Sequence, residues 1–289
     1  MSYLIPDVLE RFDPEERIAP VVFDSPHSGN IYPDDFGHRI DRIHLRQTED
    51  AFIDELFADA PGNGATLLCA LFPRSYVDPN RSPDDIDPSM LDGEWPYAAN
   101  PGEKTKLGIG LIPSREPGGV VYDRLLSVEE ACHRLDTYYW PYHKELERAL
   151  DRAQQRVGVF WHVNCHSMPA VSTTISPEGP GVPRADFCLG TRDGTTCNSE
   201  FVEFVESFLA GLGYSVTIND QYKGVELVRR YSDPVRDRHS LQVEINRGLY
   251  MDEATITKNH GFDALKNNIG RLMEATCDFA RAHIGPRRF

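Results

Sequence analysis

The sequence predicts an α/β fold: a three-layer α/β/α sandwich built on a mixed, mainly parallel sheet. Three observations predict it. Short β-branched and aromatic runs recur along the chain, as in Val157–Met168 with Val157, Val159, Phe160, Trp161 and Val163. Segments with helical apolar spacing separate them. Several of the runs lead directly into polar, ligand-type residues, the pattern of parallel strands whose carboxyl ends open into a crevice.

The elements follow in order. Ala19–Phe23 reads as a strand and Asp24–Gly29 as a tight Pro/Gly loop. Thr48 is placed to cap a helix from Glu49 to about Ala60, on which Asp50 and Asp54 share a side. Thr66–Leu71 is a second strand, and Ser75–Val77 an extended approach to Asp78-Pro79-Asn80-Arg81. Ser82–Lys106, rich in Pro, Asp and Gly, is a long irregular loop suited to a lid or an interface. Short strands are expected at Gly108–Pro113 and Val120–Tyr122. Ser127-Val128-Glu129-Glu130 is a capping box opening a long helix that Pro141 should kink or divide.

Beyond the Val157–Met168 stretch, Ala170–Arg184 is a second Pro/Gly loop. Asp186–Gly190 is a strand, and Asn198 caps a helix ending at Gly211 or Gly213. Tyr214–Ile218 is a strand. Leu241–Ile245 is another, with Leu241, Val243 and Ile245 on one face and Gln242 and Glu244 on the other. A last helix covers about Phe262–Ile284. No repeat interrupts this alternation, and residues 1–289 are expected to form one domain.

Composition narrows the function. A formal net charge of -15 argues against a nucleic-acid backbone or an anionic membrane as partner. A small anionic substrate stays compatible, because a few local arginines override a distant field. The 6 cysteines show no CxxC pair, which suits reduced thiols in a cytoplasm. The acidic start lacks the apolar core of a signal peptide, and no apolar run approaches a bilayer span. The oligomeric state is not encoded in any visible pattern.

The chemistry concentrates at four strand ends: Asp24/His27, Asn80/Arg81, Asn164/His166 and Glu244/Asn246/Arg247. If the strands run parallel, these share one crevice. His27 and His166 with a carboxylate from the first helix make a His/carboxylate/His set, the open three-ligand pattern of a catalytic zinc. Asp50, Asp54 and Glu49 compete for the carboxylate place. Glu244 is a free carboxylate able to serve as base, and Arg81, Arg229 and Arg247 are able to hold a substrate carboxylate. Each has an ordinary reading too. Asp50 suits a helix N-terminus, Glu244 can pair with Arg247, and arginines are most often surface charges. The Cys165-His166 pair suggests a thiol nucleophile, but adjacent strand residues point apart.

Several motifs together resemble the N-formylglutamate amidohydrolase family. They are Ser25-Pro26-His27-Ser28-Gly29, Glu49-Asp50…Asp54, Val77–Arg81, Pro141-Tyr142-His143, Cys165-His166-Ser167-Met168, Asp186–Thr191, Tyr222-Lys223-Gly224 and Gln242–Met251, in matching order from about Val21 to Met251. The resemblance implies a zinc-carboxypeptidase-like (phosphorylase/hydrolase-like) fold. It implies hydrolysis of N-formyl-L-glutamate to formate and L-glutamate, a late step of histidine breakdown. Carried over by position, His27, Asp50 and His166 would be ligands of one divalent metal, expected to be Zn2+. Glu244 and Arg247 would form the catalytic set, Glu244 as general base. Asn80 and Arg81 would bind substrate, with Arg229 and Asn246 as further candidates. Departures from the family pattern at Ser28, Pro79 and Glu49 bear on the substrate rather than on the chemistry. The alternatives are a carboxypeptidase- or deacylase-like enzyme for a longer acyl or peptide substrate, and a non-catalytic metal or carboxylate binder.

Overall fold

The structure, a computed structural model, describes residues 2–173, 176 and 179–285. Its central sheet has eight strands: β1 (Ser2–Ile5), β2 (Leu9–Phe12), β3 (Val21–Ser25), β4 (Thr66–Ala70), β5 (Phe160–Met168), β6 (Phe187–Gly190), β7 (Val216–Ile218) and β8 (Arg238–Asn246). Their spatial order is β1-β2-β4-β3-β5-β8-β6-β7. The middle strands β4, β3, β5 and β8 run parallel. β2 and β6 join them antiparallel on either side. The sheet is therefore mixed and mainly parallel at its centre, as the sequence predicts.

Helices cover both faces. They are α1 (Val128–Arg134), α2 (Trp140–Val157), α3 (Ser199–Gly211), α4 (Glu226–Tyr231) and α5 (Phe262–Ala282). Strand alternation divides the side chains between two apolar layers. Val21, Phe23, Trp161, Val163, Cys165, Leu241, Val243 and Ile245 pack with α3 and α5. Val22, Leu68, Ala70 and Phe160 pack with α1, α2 and α4. Towards the carboxyl ends of the strands, that second face turns polar: Asp24, Asn164, His166, Gln242 and Glu244 are all buried there.

Several local expectations hold in detail. Ser127 and Glu130 form the reciprocal capping box. Asn198 accepts from the Phe201 N–H at the start of α3. A π-helical segment, Leu135–Tyr139, divides α1 from α2 directly before Pro141, whose missing N–H breaks the regular ladder there. Gly29 is obligatory for the loop after β3, since a Cβ on it would sit 2.3 Å from the Phe72 carbonyl oxygen.

Other elements differ. The N-terminal segment forms β1 and β2, each too short for its alternation to stand out. No continuous helix covers 49–60. Short turns of helix lie at Arg42–Arg46, Ile53–Leu56 and Ala60–Asn63, and Phe52, at φ 67°, breaks the path between the first two. The Thr48 hydroxyl donates back to the Leu45 carbonyl at 2.8 Å, ending one helix instead of capping another. Asp50 and Asp54 therefore share no helical face. Ser75 and Tyr76 lie in a turn rather than in extended chain, and Gly108–Pro113 runs through bends rather than a strand; the two segments are tied where the Asp78 N–H donates to the Leu111 carbonyl at 2.8 Å.

The 82–106 stretch is more ordered than an irregular loop. It holds a strand pair with Leu126–Ser127 and a short helix, and Asp85 accepts from the Gly102 N–H at 2.7 Å. The Pro/Gly loop at Ala170–Arg184 is present, though residues 174, 175, 177 and 178 lie outside the described residues. Among the described residues, no helix is long and apolar enough to cross a membrane.

Candidate metal centre

The parallel register decides which side chains meet. β3, β5 and β8 are neighbours, so their carboxyl ends bring His27, His166 and Glu244 to one place. Contrary to the expected strand-then-loop pattern, β5 runs on through Met168, so Asn164 and His166 project from the strand itself. Asp50 arrives from the turn after Thr48, and its backbone N–H donates to the His27 carbonyl at 2.9 Å. That bond locks the two loops together.

One ligand atom each from His27, Asp50 and His166 fall within 4.8 Å of one another, all three residues being buried. His27 Nδ1 is 3.3 Å and His166 Nδ1 3.0 Å from Asp50 Oδ2. The carboxylate place thus goes to Asp50. Glu49 instead accepts from the Tyr32 hydroxyl at 2.6 Å and pairs with Arg46.

The outer nitrogens of both rings are held. His27 Nε2 donates to Asp78 Oδ1 at 2.7 Å. Asp78 also accepts from the Asn80 N–H at 2.8 Å and from Arg74 at 2.7 Å. Burial would raise the Asp78 carboxyl, but the Arg74 guanidinium beside it outweighs this and holds it well below the ordinary range. It is therefore an acceptor, and the His27 proton stays on Nε2. His166 Nε2 lies 2.7 Å from Asn164 Oδ1. With both outer nitrogens protonated, two ring lone pairs and the Asp50 Oδ2 lone pairs converge, and the buried His27 Nδ1 has no hydrogen-bond partner among the described residues. The three residues could hold a metal ion, and two imidazoles with one carboxylate are a donor set suited to zinc.

Asp50 is itself fixed. Its Oδ1 accepts from the Ser167 hydroxyl at 3.0 Å and from Arg247 Nη2 at 3.0 Å. Burial would raise its carboxyl, but the neighbouring His166 and His27 imidazoles hold it well below the ordinary range.

Glu244 faces His166 directly across the β5–β8 register. Its Oε1 accepts from Gln242 Nε2 at 2.9 Å, and its Oε2 is buried without a hydrogen-bond partner among the described residues. Burial, and then the Asp50 charge, push its carboxyl well above the ordinary range, against the pull of Arg74, Arg247 and Arg184. A buried carboxylate poised to take a proton is what a general base requires.

The remaining candidates separate. Arg81 is buried, with Nε on the Ile109 carbonyl at 3.0 Å and Nη1 on the Asn80 carbonyl at 3.1 Å. Its Nη2 makes no hydrogen bond among the described residues. Asn80 accepts from the Leu227 N–H at 2.9 Å, which turns its amide nitrogen towards His166 Nε2, 3.2 Å away.

Three further candidates are engaged with other partners. Arg247 directs each of its three guanidinium nitrogens at a protein partner, Ser167, Gln47 and Asp50, so it braces the Asp50 carboxylate. Asn246 donates to the Arg184 and Ala185 carbonyls and accepts from the Gly248 N–H, so its amide closes a turn. Arg229, with a half-exposed side chain, pairs with Glu226 and, among the described residues, makes no hydrogen bond or ion pair with the cluster. Cys165 points into the opposite apolar layer, where burial pushes its thiol well above the ordinary range, which removes the nucleophile reading.

Asp78, Arg74, Ser167 and Gln242 were not singled out by the sequence. Asp78 lies inside the Val77–Arg81 motif, and Gln242 shares a strand face with Glu244. Arg74 carries no local signal, since its role depends on a turn.

Comparison with known proteins agrees. Residues 19–251 match the N-formylglutamate amidohydrolase family model. The N-formylglutamate deformylase of Pseudomonas putida is 28% identical over 240 residues, 81% of this chain and 82% of that one. The Pseudomonas aeruginosa enzyme of the same name is 27% identical, covering 81% and 83%. The crystal structure of N-formylglutamate amidohydrolase from Ralstonia eutropha JMP134 superposes with a TM-score of 0.92 at 45% identity, covering 96% of this chain and 99% of that one.

Proposed function

From the premise that this chain belongs to the N-formylglutamate amidohydrolase family and is an amide hydrolase, we propose that it hydrolyses N-formyl-L-glutamate to formate and L-glutamate with one zinc ion held by His27, Asp50 and His166. The observation that carries the reading is the convergence of the His27 and His166 Nδ1 atoms on Asp50 Oδ2, with the unpartnered Glu244 Oε2 buried at the adjacent strand end. A divalent ion bound there supplies Lewis-acid polarisation of the formyl carbonyl and acidifies a water.

The chain's own residues do the rest. Glu244 Oε2 takes a proton from the attacking water and returns it to the departing amine. Gln242 holds the other Glu244 oxygen, so the base presents one defined atom. The open Nη2 of Arg81 receives a substrate carboxylate, and the two carbonyls on its other nitrogens fix the fork. Burial of all these groups excludes bulk water from the reacting centre.

The test is formate release from N-formyl-L-glutamate by purified protein, before and after chelation and with zinc add-back. Release that chelation abolishes and zinc restores supports the reading. No release by protein carrying one zinc per chain would keep the metal centre and overturn the substrate.

A further inference from the structure

The two imidazoles of the cluster are oriented by different chemistry. His27 is held by a carboxylate, Asp78, neutralised by Arg74. His166 is held by a neutral amide. An amide presents either an acceptor or a donor, so something must decide which way Asn164 faces.

Asp24 decides it. This carboxylate is fully buried on β3, the strand beside β5. It accepts from the Asn164 amide nitrogen, from His162 Nε2 and from the Tyr142 hydroxyl, each at 2.8 Å. Burial would raise the Asp24 carboxyl, but the His162 charge and these hydrogen bonds lower it. An ionised carboxylate only accepts, so the Asn164 nitrogen must face Asp24 and its oxygen must face His166. The Asn164 oxygen then requires a proton on His166 Nε2, at 2.7 Å, which leaves the Nδ1 lone pair aimed at Asp50. Asn80 offers His166 Nε2 only a donor, its amide nitrogen at 3.2 Å, because its oxygen is occupied by the Leu227 N–H; the closer Asn164 oxygen, at 2.7 Å, outweighs it.

We infer that Asp24 and Asn164 are positioning residues that set the tautomer of His166 and so aim its Nδ1 at the metal. This rests on His166 being a ligand, as proposed above. Both residues are fully buried. Each acts through the next, by a chain of hydrogen bonds from the buried strand β3 to the ligand on β5.

The experiment is zinc affinity by competition with a chelator, together with imidazole nitrogen NMR of the zinc-loaded full chain, His166 being assigned by comparison with His166→Gln. The wild type is expected to show a slowly exchanging Nε2–H on His166 with Nδ1 ligated. Asn164→Leu is expected to lose that signal and about 10- to 100-fold in zinc affinity, the range typical of lost outer-shell partners. Asn164→Asp, which keeps an acceptor towards His166 and can share a proton with Asp24, is expected to retain both. Asp24→Val should reproduce the loss with Asn164 intact.

Unchanged affinity in folded Asn164→Leu would overturn the inference. So would a zinc-loaded wild type ligated through Nε2, a result that needs no variant to fold. A wild type that binds no zinc would overturn the metal reading and this inference with it.

Discussion

Glu244 and His166 are register partners on adjacent parallel strands, and both project from the same buried polar face of the sheet. The pairing fixes the proposed base relative to the proposed ligand through backbone hydrogen bonds rather than through a flexible loop. Glu244→Gln is expected to lower kcat by roughly 10²- to 10⁴-fold, the usual contribution of a general base. Zinc stoichiometry should be unchanged. Near-normal kcat in that variant would exclude Glu244 as the base.

Arg247 should behave as a structural brace. Its three nitrogens bind Ser167, Gln47 and Asp50, and removing one partner of a buried pair typically costs about 3–5 kcal/mol. Arg247→Ala is therefore expected to lose stability and zinc affinity together, seen in urea unfolding and chelator competition. A purely kinetic effect with normal zinc binding would return Arg247 to the catalytic set.

Arg81 and Arg229 give a sharp contrast. A charge-assisted hydrogen bond contributes about 1.5–3 kcal/mol, so Arg81→Met should lower kcat/KM for N-formyl-L-glutamate by roughly 10- to 150-fold. Arg229→Ala, at a half-exposed pair with Glu226, should leave kcat/KM close to the wild type. Steady-state kinetics on both variants checks the assignment, and the reverse order would move the substrate carboxylate to α4.

Glu116 gives a pH dependence. It lies on the short hairpin at 115–120, beside Thr48, Arg74 and Asp78, and burial raises its carboxyl to about 8. The folded chain thus keeps a proton that the unfolded chain has already lost. The stability tied to that proton is fully present below the ordinary carboxylate range and is lost as pH rises through about 8. Glu116→Gln is expected to be more stable than the wild type above that pH, the advantage vanishing in acid. Urea midpoints at roughly pH 5 and pH 9 test it. An advantage independent of pH would mean the carboxyl is not buried.

Much of this was legible because it is local. β-branched runs, the Ser127–Glu130 capping box and the Asn198 cap need only a few neighbouring residues, so strands, long helices and the α/β class could be read directly. So could the candidate site residues at strand ends, since His27, His166 and Glu244 each follow or close an apolar run. The failures were local patterns overruled at a distance. Thr48 looks like a cap, but the chain near it is committed to carrying Asp50 to His27, and the left-handed Phe52 breaks the helix. Arg247 and Asn246 look like site residues because they follow Glu244, yet each is consumed by a backbone or side-chain partner.

The sequence by itself determined the fold class, the residues able to ligate a metal and the family. Only the tertiary structure decided their states. Whether Asp50, Asp54 or Glu49 completes the cluster depends on which loop meets β3, and which face of an imidazole or amide points inward depends on partners far away in sequence. Asp24 reaches Asn164 across 140 residues, and Asp78 reaches His27 across 51. Periodicity carries the address of a side chain on its own element, whereas orientation, protonation and pairing are set by the acceptor that another element brings beside it.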